Sequence, residues 1–499
     1  MGLFRPMEYL PELIYRTDVL SSLGSLPLTT AEIPSRPEVV VVVAMVDDQY
    51  VIFVRNRSSS KDATSRSVIV AILLLLYPIM IGRAKGLPES SSLIQLPRSA
   101  DHKTKVVISV TEFGAKGNGF DDDTLALKYA WDYACSSPLH VEIKFPARRV
   151  YLIKPINLAG PCNSKITVSI SGTIIAPSDP DIWDGLDPRK WIYFHGIKQI
   201  VVRGGGTLDG KGQNWWSRSC KRNTTYPCRH APTAITFHRS KHVAIRDLTV
   251  LNGQQMHIAF TSCSHVRASR LKVTAPAESP NTDGIHISGS IATLVEDSTI
   301  RAGDDCISIV GNSSNVRVIN IICGPGHGIS IGSLGKSNSY SQVHDVKVEN
   351  SLISNTENGV RIKTWQGGSG YARKIVFRGI RMSNVSNPII IDQYYCDSSR
   401  QCQNQTSAVK VHQISFIEIK GTSTTKDAIK FSCSDSSPCE KIYLQDINMS
   451  LESGGNASAY CWKASGFSSG LVNPPSCLTR AVVGLINQNV GSSKKVDVA

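Results

Sequence analysis

Four short polar motifs lie between positions 281 and 363: Asn281-Thr282-Asp283, Gly303-Asp304-Asp305-Cys306, Gly326-His327-Gly328 and Arg361-Ile362-Lys363. Asp283 and Asp304 are 21 residues apart, and Asp304 and His327 are 23 residues apart. The first three motifs are followed by runs rich in β-branched residues, at 285–287, 307–310 and 329–331. Polar groups that recur at near-constant spacing beside short strands are typical of a solenoid, whose coils stack on one another. We therefore expect these aspartates and the histidine to lie on one face.

The region from about position 106 onward continues this pattern. Short segments of the form apolar-x-apolar recur at steps of about 22 to about 43 residues and are separated by Gly, Asn, Ser and Asp. They predict an all-β fold, a single parallel β-helix of about ten coils; a β-sandwich or propeller would not explain the motif spacing. The segment 124–135 (TLALKYAWDYAC) predicts a short helix, with a stripe of Leu125, Tyr129, Ala130 and Tyr133, that covers the N-terminal end of the solenoid.

The region after position 100 is basic. The chain of 499 residues has a net charge of +14, and residues 101–499 contain 44 Lys and Arg but 31 Asp and Glu. This charge favours an anionic partner. An acidic polysaccharide fits. A nucleic acid is not expected, because no cluster of Lys and Arg is interleaved with aromatic residues and no nucleic-acid-binding motif occurs.

The cysteines indicate an oxidising compartment. Most of the 13 cysteines form close pairs in sequence: 220 with 228, 306 with 323, 396 with 402, 433 with 439 and 461 with 477. None of these pairs has the spacing of a zinc site. Because the number is odd, we expect one free thiol, Cys263, inside the apolar-rich stretch 258–266. Six N-glycosylation sequons within residues 101–499 also favour a secreted glycoprotein, at Asn223, Asn312, Asn384, Asn404, Asn448 and Asn456.

Residues 1–100 are expected to form an N-terminal extension before a catalytic domain at 101–499. Residues 68–81 (VIVAILLLLYPIMI) carry no charge, and their length is that of a signal-peptide core rather than of a membrane span. The segment lies far from residue 1, so three hypotheses stay open: an internal start such as Met45, an uncleaved type II membrane anchor, and a buried segment of an extra module. We favour a secretion signal, with membrane contact only if 68–81 stays as an anchor. Residues 86–104 have the composition of a linker.

The central motifs predict acid–base chemistry on a sugar polymer. Clustered carboxylates repel, so one of Asp283, Asp304 and Asp305 should have a raised pKa. A protonated acid beside an ionised one is what glycoside hydrolysis requires. Taken singly, Asn-x-Asp and Asp-Asp are more often turn residues. Their position on adjoining coils favours catalysis.

His327 and the Arg361/Lys363 pair complete this expected site. His327 lies between two glycines, where the backbone needs freedom or a ligand approaches closely. Arg361 and Lys363 are two residues apart on a predicted strand, so both point to one face. Singly, these residues also fit a turn histidine and a solvated strand face. Over an acidic centre, the two cations suit a substrate that carries carboxylates.

The motifs at 281–283, 303–306, 324–328 and 361–363 resemble, in this order, those of the polygalacturonases of glycoside hydrolase family 28, particularly the plant-type enzymes. The segments 205–216 (GGTLDGKGQNWW) and 392–396 (DQYYC) add to the resemblance, which covers roughly residues 105–480. It implies a right-handed parallel β-helix that hydrolyses the α-1,4 bonds between galacturonic acid units of pectin. A secreted, cell-wall monomer that needs no cofactor or metal is expected.

The resemblance also implies a role for each residue of the site: general acid for Asp304, water activation for Asp283 and Asp305, support of the acid for His327, binding of the sugar carboxylate for Arg361 and Lys363, and shaping of the site for Asn281 and Tyr395. One departure is Tyr394, which stands where the family has Asn. The resemblance implies inversion at the anomeric carbon. Carboxylates on adjacent coils, ~5 Å apart, would favour retention instead.

Three other functions stay open from the sequence. A pectate-lyase-type enzyme on a similar solenoid would use Ca²⁺ and an arginine base, although no further acid cluster suits such a cation. The second alternative is another hydrolase of the pectin backbone, such as a rhamnogalacturonan hydrolase, because that reaction is also a glycoside hydrolysis. A non-catalytic carbohydrate-binding solenoid is disfavoured because all the expected acids are present.

Overall fold

The computed structural model describes residues 38–46, 49–57, 105–221, 230–398 and 402–480. The chain forms two compact units, Met1–Leu96 and Pro97–Ala499. The described part of the first unit is an antiparallel strand pair, Glu38–Val46 and Gln49–Arg57. The apolar segment 68–81 lies outside the described residues, so its role as signal or anchor stays a prediction. Among the helices in the described ranges, none has the length and apolar character to span a bilayer.

The second unit is a right-handed parallel β-helix, which confirms the predicted fold class. One of its two parallel sheets, here called the site sheet, has eleven strands, close to the expected ten coils. These strands are Ile156–Ala159, Lys190–His195, Thr233–His238, Ile258–Thr261, Ile285–Ser288, Ile307–Ile309, Ile329–Leu334, Asn358–Thr364, Asn387–Asp392, Asp427–Ser432 and Ser458–Trp462.

The other sheet, here called the outer sheet, has nineteen strands and folds around the remaining sides of the coils. They are Val106–Ser109, Asn118–Asp122, Val141–Phe145, Val150–Leu152, Ile166–Ile170, Thr173–Ile175, Ile200–Arg203, Thr207–Asp209, Lys241–Leu251, Ser264–Thr274, Ile291–Arg301, Ser313–Cys323, Tyr340–Glu349, Leu352–Ser354, Ser369–Val385, Lys410–Ser423, Cys439–Leu451, Ala464–Asn473 and Thr479–Arg480.

Long strands of the outer sheet bend at a residue with left-handed backbone. Asp247, Arg270, Asp297 and Asn320 have φ of 55°, 50°, 50° and 55°, and parallel pairing places them above one another in successive coils. Asn and Asp adopt this conformation more readily than most residues. A corner at a constant position keeps the strands of successive coils in register.

Side chains that point into the solenoid form columns from coil to coil. The rings of Phe194, Phe237 and Phe260 stack with centroids 5.1 and 5.5 Å apart. Ile287 and Ile309 continue this column and are fully buried. Each such side chain contributes about 1.5–3 kcal/mol through burial. Because strand residues alternate between faces, the neighbours of these residues point out of the site sheet.

The predicted helix, Thr124–Ser136, lies at the N-terminal end of the solenoid, where Trp131 packs against Phe194 with ring centroids 5.5 Å apart. Its indole nitrogen also donates to the carbonyl oxygen of Ala159 at 3.1 Å. The helix therefore covers the first coil of the site sheet. The other helical segments are short: the α-helix Gln213–Ser217 and the 3₁₀ turns Val110–Phe113, Pro180–Trp183 and Lys336–Asn338.

The buried face of the capping helix differs from the predicted stripe. Leu125, Tyr129 and Tyr133 are 64%, 57% and 48% exposed. The buried residues are Ala126, Leu127, Ala130, Trp131 and Ala134. Ala130 of the predicted stripe is buried, but the other three positions were wrong because large side chains were favoured. Three alanines instead let the helix approach the coil closely around Trp131.

Disulfide bonds join many of the cysteines in the predicted way. Four of the predicted pairs are bonded: Cys306–Cys323, Cys396–Cys402, Cys433–Cys439 and Cys461–Cys477. A fifth described bond, Cys135–Cys162, was not among the predicted pairs. Cys220 is also disulfide-bonded, and its predicted partner, Cys228, lies outside the described residues. Cys263 is free and buried, as predicted, and burial raises the pKa of its thiol to about 11.

Candidate active site

An open cleft of about 370 Å³ lies on the outward face of the site sheet. All eight residues predicted for the site line it: Asn281, Asp283, Asp304, Asp305, His327, Arg361, Lys363 and Tyr395. The structure thus brings the four motifs and the later tyrosine together at one place, although their chemical roles stay predictions.

Parallel register explains why the motifs meet. Ile285, Ile307 and Ile329 occupy equivalent positions on three adjacent strands. The acidic and histidine side chains of Asp283, Asp305 and His327 come two residues before these positions. They therefore enter the site sheet at the same edge of successive coils, ~4.8 Å apart.

Asp304 and His327 form a close pair in the cleft, with His327 Nδ1 3.1 Å from Asp304 Oδ1. Asn281 Nδ2 donates to the other carboxylate oxygen at 3.2 Å. Burial raises the pKa of Asp304, but the hydrogen bond and charge of His327 outweigh it, so this pKa lies below its ordinary value. Burial lowers the pKa of His327, whereas Asp304 and then Glu357 raise it, and the balance is a raised pKa. In the free cleft this charge balance favours His327 over Asp304 as the holder of the proton.

Asp305 is held by three donors. Its Oδ1 accepts hydrogen bonds from Ser330 Oγ at 2.7 Å and from Arg361 Nη2 at 2.8 Å, and its Oδ2 accepts one from Lys363 Nζ at 2.9 Å. Arg361 Nε also donates to Ser330 Oγ at 3.0 Å. Arg361 and Lys363 do point to one face, as predicted. In the structure both cations bind Asp305, a contact that the sequence did not indicate.

Asp283 lies in the most repulsive electrostatic environment of the three aspartates. Burial raises its pKa well above the ordinary value, and the negative charges of Asp304 and Asp305 raise it further. Ser308 Oγ donates to Asp283 Oδ2 at 2.7 Å, and His286 Nδ1 lies 2.8 Å from the same hydroxyl. Because the serine has one proton to donate, His286 Nδ1–H is assigned as the donor to its oxygen.

Sequence reasoning missed polar residues that contact the site: His286, Ser308 and Glu357 line the cleft, and Ser330 donates to Asp305. Glu357 lies 3.3 Å from His327 Nε2, which gives the histidine an acid on each side. A signal for the other three exists, because each stands three residues after a motif residue, namely Asp283, Asp305 and His327. Such a residue points outward on the following strand.

The glycine that follows His327 is required for steric reasons. Gly328 has φ +81°, and a Cβ atom there would collide with the carbonyl oxygens of Asn358 and Gly359 in the next coil. Glycine therefore permits the close approach of the two coils beside His327.

Tyr395 forms one wall of the cleft. Its ring meets that of Trp365 edge to face at 5.4 Å between centroids, and Lys363 Nζ lies 5.2 Å from the centroid of the tyrosine ring. Tyr394, the departure from the family pattern, instead donates its hydroxyl to Asp435 at 2.9 Å. The substitution therefore leaves Tyr395 in the cleft.

Asp304, Asp305 and His327 could in principle hold a metal ion, since one ligand atom from each lies within 4.8 Å of the others. The donor set does not suit Ca²⁺ or Mg²⁺, which prefer oxygen ligands. Asp305 also faces the positive charges of Arg361 and Lys363. The arrangement is better suited to proton transfer.

Comparison with known proteins agrees with this geometry. The profile of the glycosyl hydrolases family 28 matches residues 135–470, two thirds of the chain. The chain belongs to glycosyl hydrolases family 28. Family 28 membership makes it a glycoside hydrolase, and it confirms the resemblance seen in the motifs.

The family 28 chain is similar to several plant proteins. It is 54% identical over 418 residues to a probable polygalacturonase of Arabidopsis thaliana, which covers 83% of this chain and 94% of that protein. It is 51% identical over 355 residues to polygalacturonase-2 of Solanum lycopersicum, with 71% and 77% covered.

Solved structures support the fold. An endo-xylogalacturonan hydrolase from Aspergillus tubingensis superposes with a TM-score of 0.62 at 24% identity, over 73% of this chain and 100% of that one. A polygalacturonase from Erwinia carotovora gives a TM-score of 0.60 at 18% identity, over 70% and 94%. At these identities the family 28 chain shares the β-helix with both, and substrate must be argued from the cleft.

Proposed function

We propose that the protein is a polygalacturonase that hydrolyses α-1,4-galacturonosyl bonds of polygalacturonate, the backbone of pectin. The observation that carries the proposal is the meeting of three aspartates with Arg361 and Lys363 in one open cleft. Paired carboxylates suit glycoside hydrolysis, and the adjacent cations suit a polymer in which every sugar carries a carboxylate. The plant relatives at 54% and 51% identity bear the name polygalacturonase.

Asp304 is assigned as the general acid, with His327 as the group that stores its proton. General acid catalysis requires a protonated Asp304, whereas the charge balance of the free cleft leaves the proton on His327. A bound sugar excludes water from the cleft. Loss of water raises the pKa of Asp304 and lowers that of His327, so both changes favour transfer of the proton to Asp304 across the 3.1 Å contact.

Asp283 and Asp305 are assigned to the attacking water. A base is most effective when its pKa lies near the working pH, and the raised pKa of Asp283 moves it in that direction. Asp305 is fixed by Arg361, Lys363 and Ser330, which suits a group that orients water.

The two cations keep donors for substrate while they hold Asp305. Among the described residues, Arg361 bonds through Nε and Nη2, and Lys363 donates one hydrogen bond. A guanidinium has five N–H donors and an ammonium has three. The free donors can bind the carboxylate of a galacturonate unit, as the sequence predicts.

The proposal is tested by release of reducing ends from polygalacturonate. The wild type should be active, and Asp304→Asn should lose about 10²–10⁴-fold in kcat. Asp345→Asn, an exposed change on the outer sheet, is the matched control and should keep wild-type activity. A wild-type protein without turnover would refute the proposal. So would an unsaturated, ultraviolet-absorbing product whose formation stops with chelator, since both indicate a lyase.

The raised pKa of Asp283 also supports a second assignment, in which Asp283 is the acid and Asp304 the base. Aryl galacturonides with a good leaving group distinguish the two, because they do not need protonation of the leaving oxygen. The variant that lacks the acid, Asp304→Asn in our assignment, should recover activity on such a substrate, whereas Asp283→Asn should not. Recovery by Asp283→Asn alone would exchange the roles.

The stereochemistry is open to direct observation. We propose inversion, with water delivered opposite the leaving group. NMR of the first-formed product should then show the β-anomer. An α-anomer would mean retention and would require one of the aspartates to act as the nucleophile.

We also propose that the protein is a secreted monomer of the cell wall with its catalytic domain at residues 101–499. The described disulfides favour an oxidising compartment. Five of the six predicted glycosylation sites lie in the described part of the second unit, and all five are exposed: Asn312, Asn384, Asn404, Asn448 and Asn456. Analysis of the native protein for N-glycans and for its N-terminal residue would test both points.

A further inference from the structure

A second groove lies outside the catalytic cleft, where the first coils turn from the site sheet into the outer sheet. Its volume is about 930 Å³, larger than that of the cleft. Three lysines and two histidines line it: His140, Lys165, Lys198, Lys241 and His242. Of the described residues that form its walls, none is acidic. The groove is therefore positively charged, and it shares no lining residue with the catalytic cleft.

The positive charges of this groove repeat along the axis of the solenoid. Strand register places Lys198 and Lys241 at equivalent positions of adjacent coils, and Lys165 lies one coil earlier and one residue further along, opposite Gln199. Adjacent coils are ~4.8 Å apart, which is comparable to the length of one sugar ring. The rings of His242 and His265, 4.8 Å apart, continue the line toward the next coil.

Within the part of the chain that the structure describes, no acidic residue pairs with the lysines of this groove. All three lysines are exposed. The nearby Glu142 is engaged by Lys105 and Arg203. Burial lowers the pKa of His140, and the positive charges of Lys165 and Lys105 lower it further, which agrees with a positive local potential.

We propose that this groove is a non-catalytic binding site for polygalacturonate, which holds the enzyme on its polymer while the cleft acts on another segment. The inference rests on the proposed function for the identity of the polymer. A polyuronate presents one carboxylate per sugar, and the groove presents one lysine per coil at a similar spacing. Lysines are flexible point charges, which suits a continuous polyanion better than a single small ligand. A chain bound here leaves the cleft free, so the two sites together increase the local concentration of substrate.

The binding test uses full-length Asp304→Asn protein, so that the polymer is not degraded. Lys165, Lys198 and Lys241 are changed together to glutamine. The control carries the same loss of charge at three exposed lysines elsewhere on the outer sheet: Lys272, Lys347 and Lys420. Affinity for polygalacturonate is measured by calorimetry at low and high salt, and thermal unfolding checks that each variant is folded.

We expect the groove variant to bind polygalacturonate about tenfold more weakly than the control at low salt, which corresponds to three exposed charge contacts. Its affinity should also depend less on salt. In the active background, the groove variant should lose kcat/KM on the polymer and keep it on trigalacturonate, which is too short to bridge both sites.

Equal affinity of the groove and control variants would overturn the proposal, and so would an equal loss of activity on polymer and trimer. Failure of the proposed function would look different, because the wild-type protein would then not hydrolyse polygalacturonate at all, whatever the lysine variants bind.

Discussion

Ser308→Ala removes a single hydroxyl from the proposed catalytic machinery and tests its electrostatics. In the folded protein this hydroxyl donates to Asp283 Oδ2 at 2.7 Å, and it lowers the pKa of Asp283 against the effects of burial and of Asp304 and Asp305. Without it, the ionised form of Asp283 loses its closest donor. The pKa of Asp283 should therefore rise further.

The size of the effect follows from the hydrogen bond. A bond to a charged group contributes about 1.5–3 kcal/mol, and ~1.4 kcal/mol corresponds to one pH unit. The His286 imidazole can take over part of the role, because its Nδ1 lies 2.8 Å from the lost hydroxyl. We therefore expect the smaller figure, a shift of about one pH unit.

The assay is the pH dependence of kcat/KM on polygalacturonate, which reports the ionisation of the free enzyme. If Asp283 must be ionised to activate water, activity is lost as pH falls through its pKa, so the acid limb should move to higher pH by about one unit in Ser308→Ala. Titration of the substrate carboxylates affects both enzymes equally and cancels in the comparison.

Ser308→Thr keeps the hydroxyl and should keep the wild-type acid limb. An acid limb that stays in place in Ser308→Ala, with activity otherwise intact, would refute the reasoning. It would mean that the ionisation of Asp283 does not control the reaction.

Three further outcomes are expected. Glu357→Gln removes a negative charge beside His327, so the pKa of His327 should fall and the alkaline limb of kcat/KM should move to lower pH; an unchanged limb would contradict the role of the pair. Asp283→Asn should raise Tm at pH 7 and have less effect near pH 4. A raised folded-state pKa means that wild-type stability is lost as pH rises from the ordinary pKa of an aspartate to the raised one. A gain that is larger at pH 4 would have the wrong sign. Trp131→Ala should cost about 3–5 kcal/mol in denaturant unfolding, whereas Tyr133→Ala, on the exposed side of the helix, should cost much less; equal losses would argue against the cap.

The sequence predicted the stacked motifs because a parallel solenoid turns spacing into position. Asp283, Asp305 and His327 each stand just before a short apolar strand. Parallel register between these strands is enough to bring the three side chains to one edge of the sheet. The free Cys263 was predictable for a similar reason, since its apolar surroundings in sequence become an apolar interior.

Contacts between coils were harder to predict. Ser308 and Ser330 look like ordinary strand residues until the neighbouring coil places an aspartate within 2.7 Å of each. The pairing of Arg361 and Lys363 with Asp305 depends in the same way on residues more than 50 positions away. The buried face of the capping helix was mistaken because packing against a coil selects small residues, which hydrophobicity alone does not rank highly.

The serine contacts also limit how this solenoid can change in evolution. Ser308 and Ser330 each reach back to an acid of the preceding coil, so no single coil contains a working unit. Duplication of a coil near either end would lengthen the molecule and leave catalysis intact. A coil inserted between Asp283 and Ser330 would separate donor from acceptor by ~4.8 Å, beyond any hydrogen bond. We therefore expect added coils to be tolerated near the ends of the solenoid, whereas a coil added at its centre would break the hydrogen bonds between serine and aspartate.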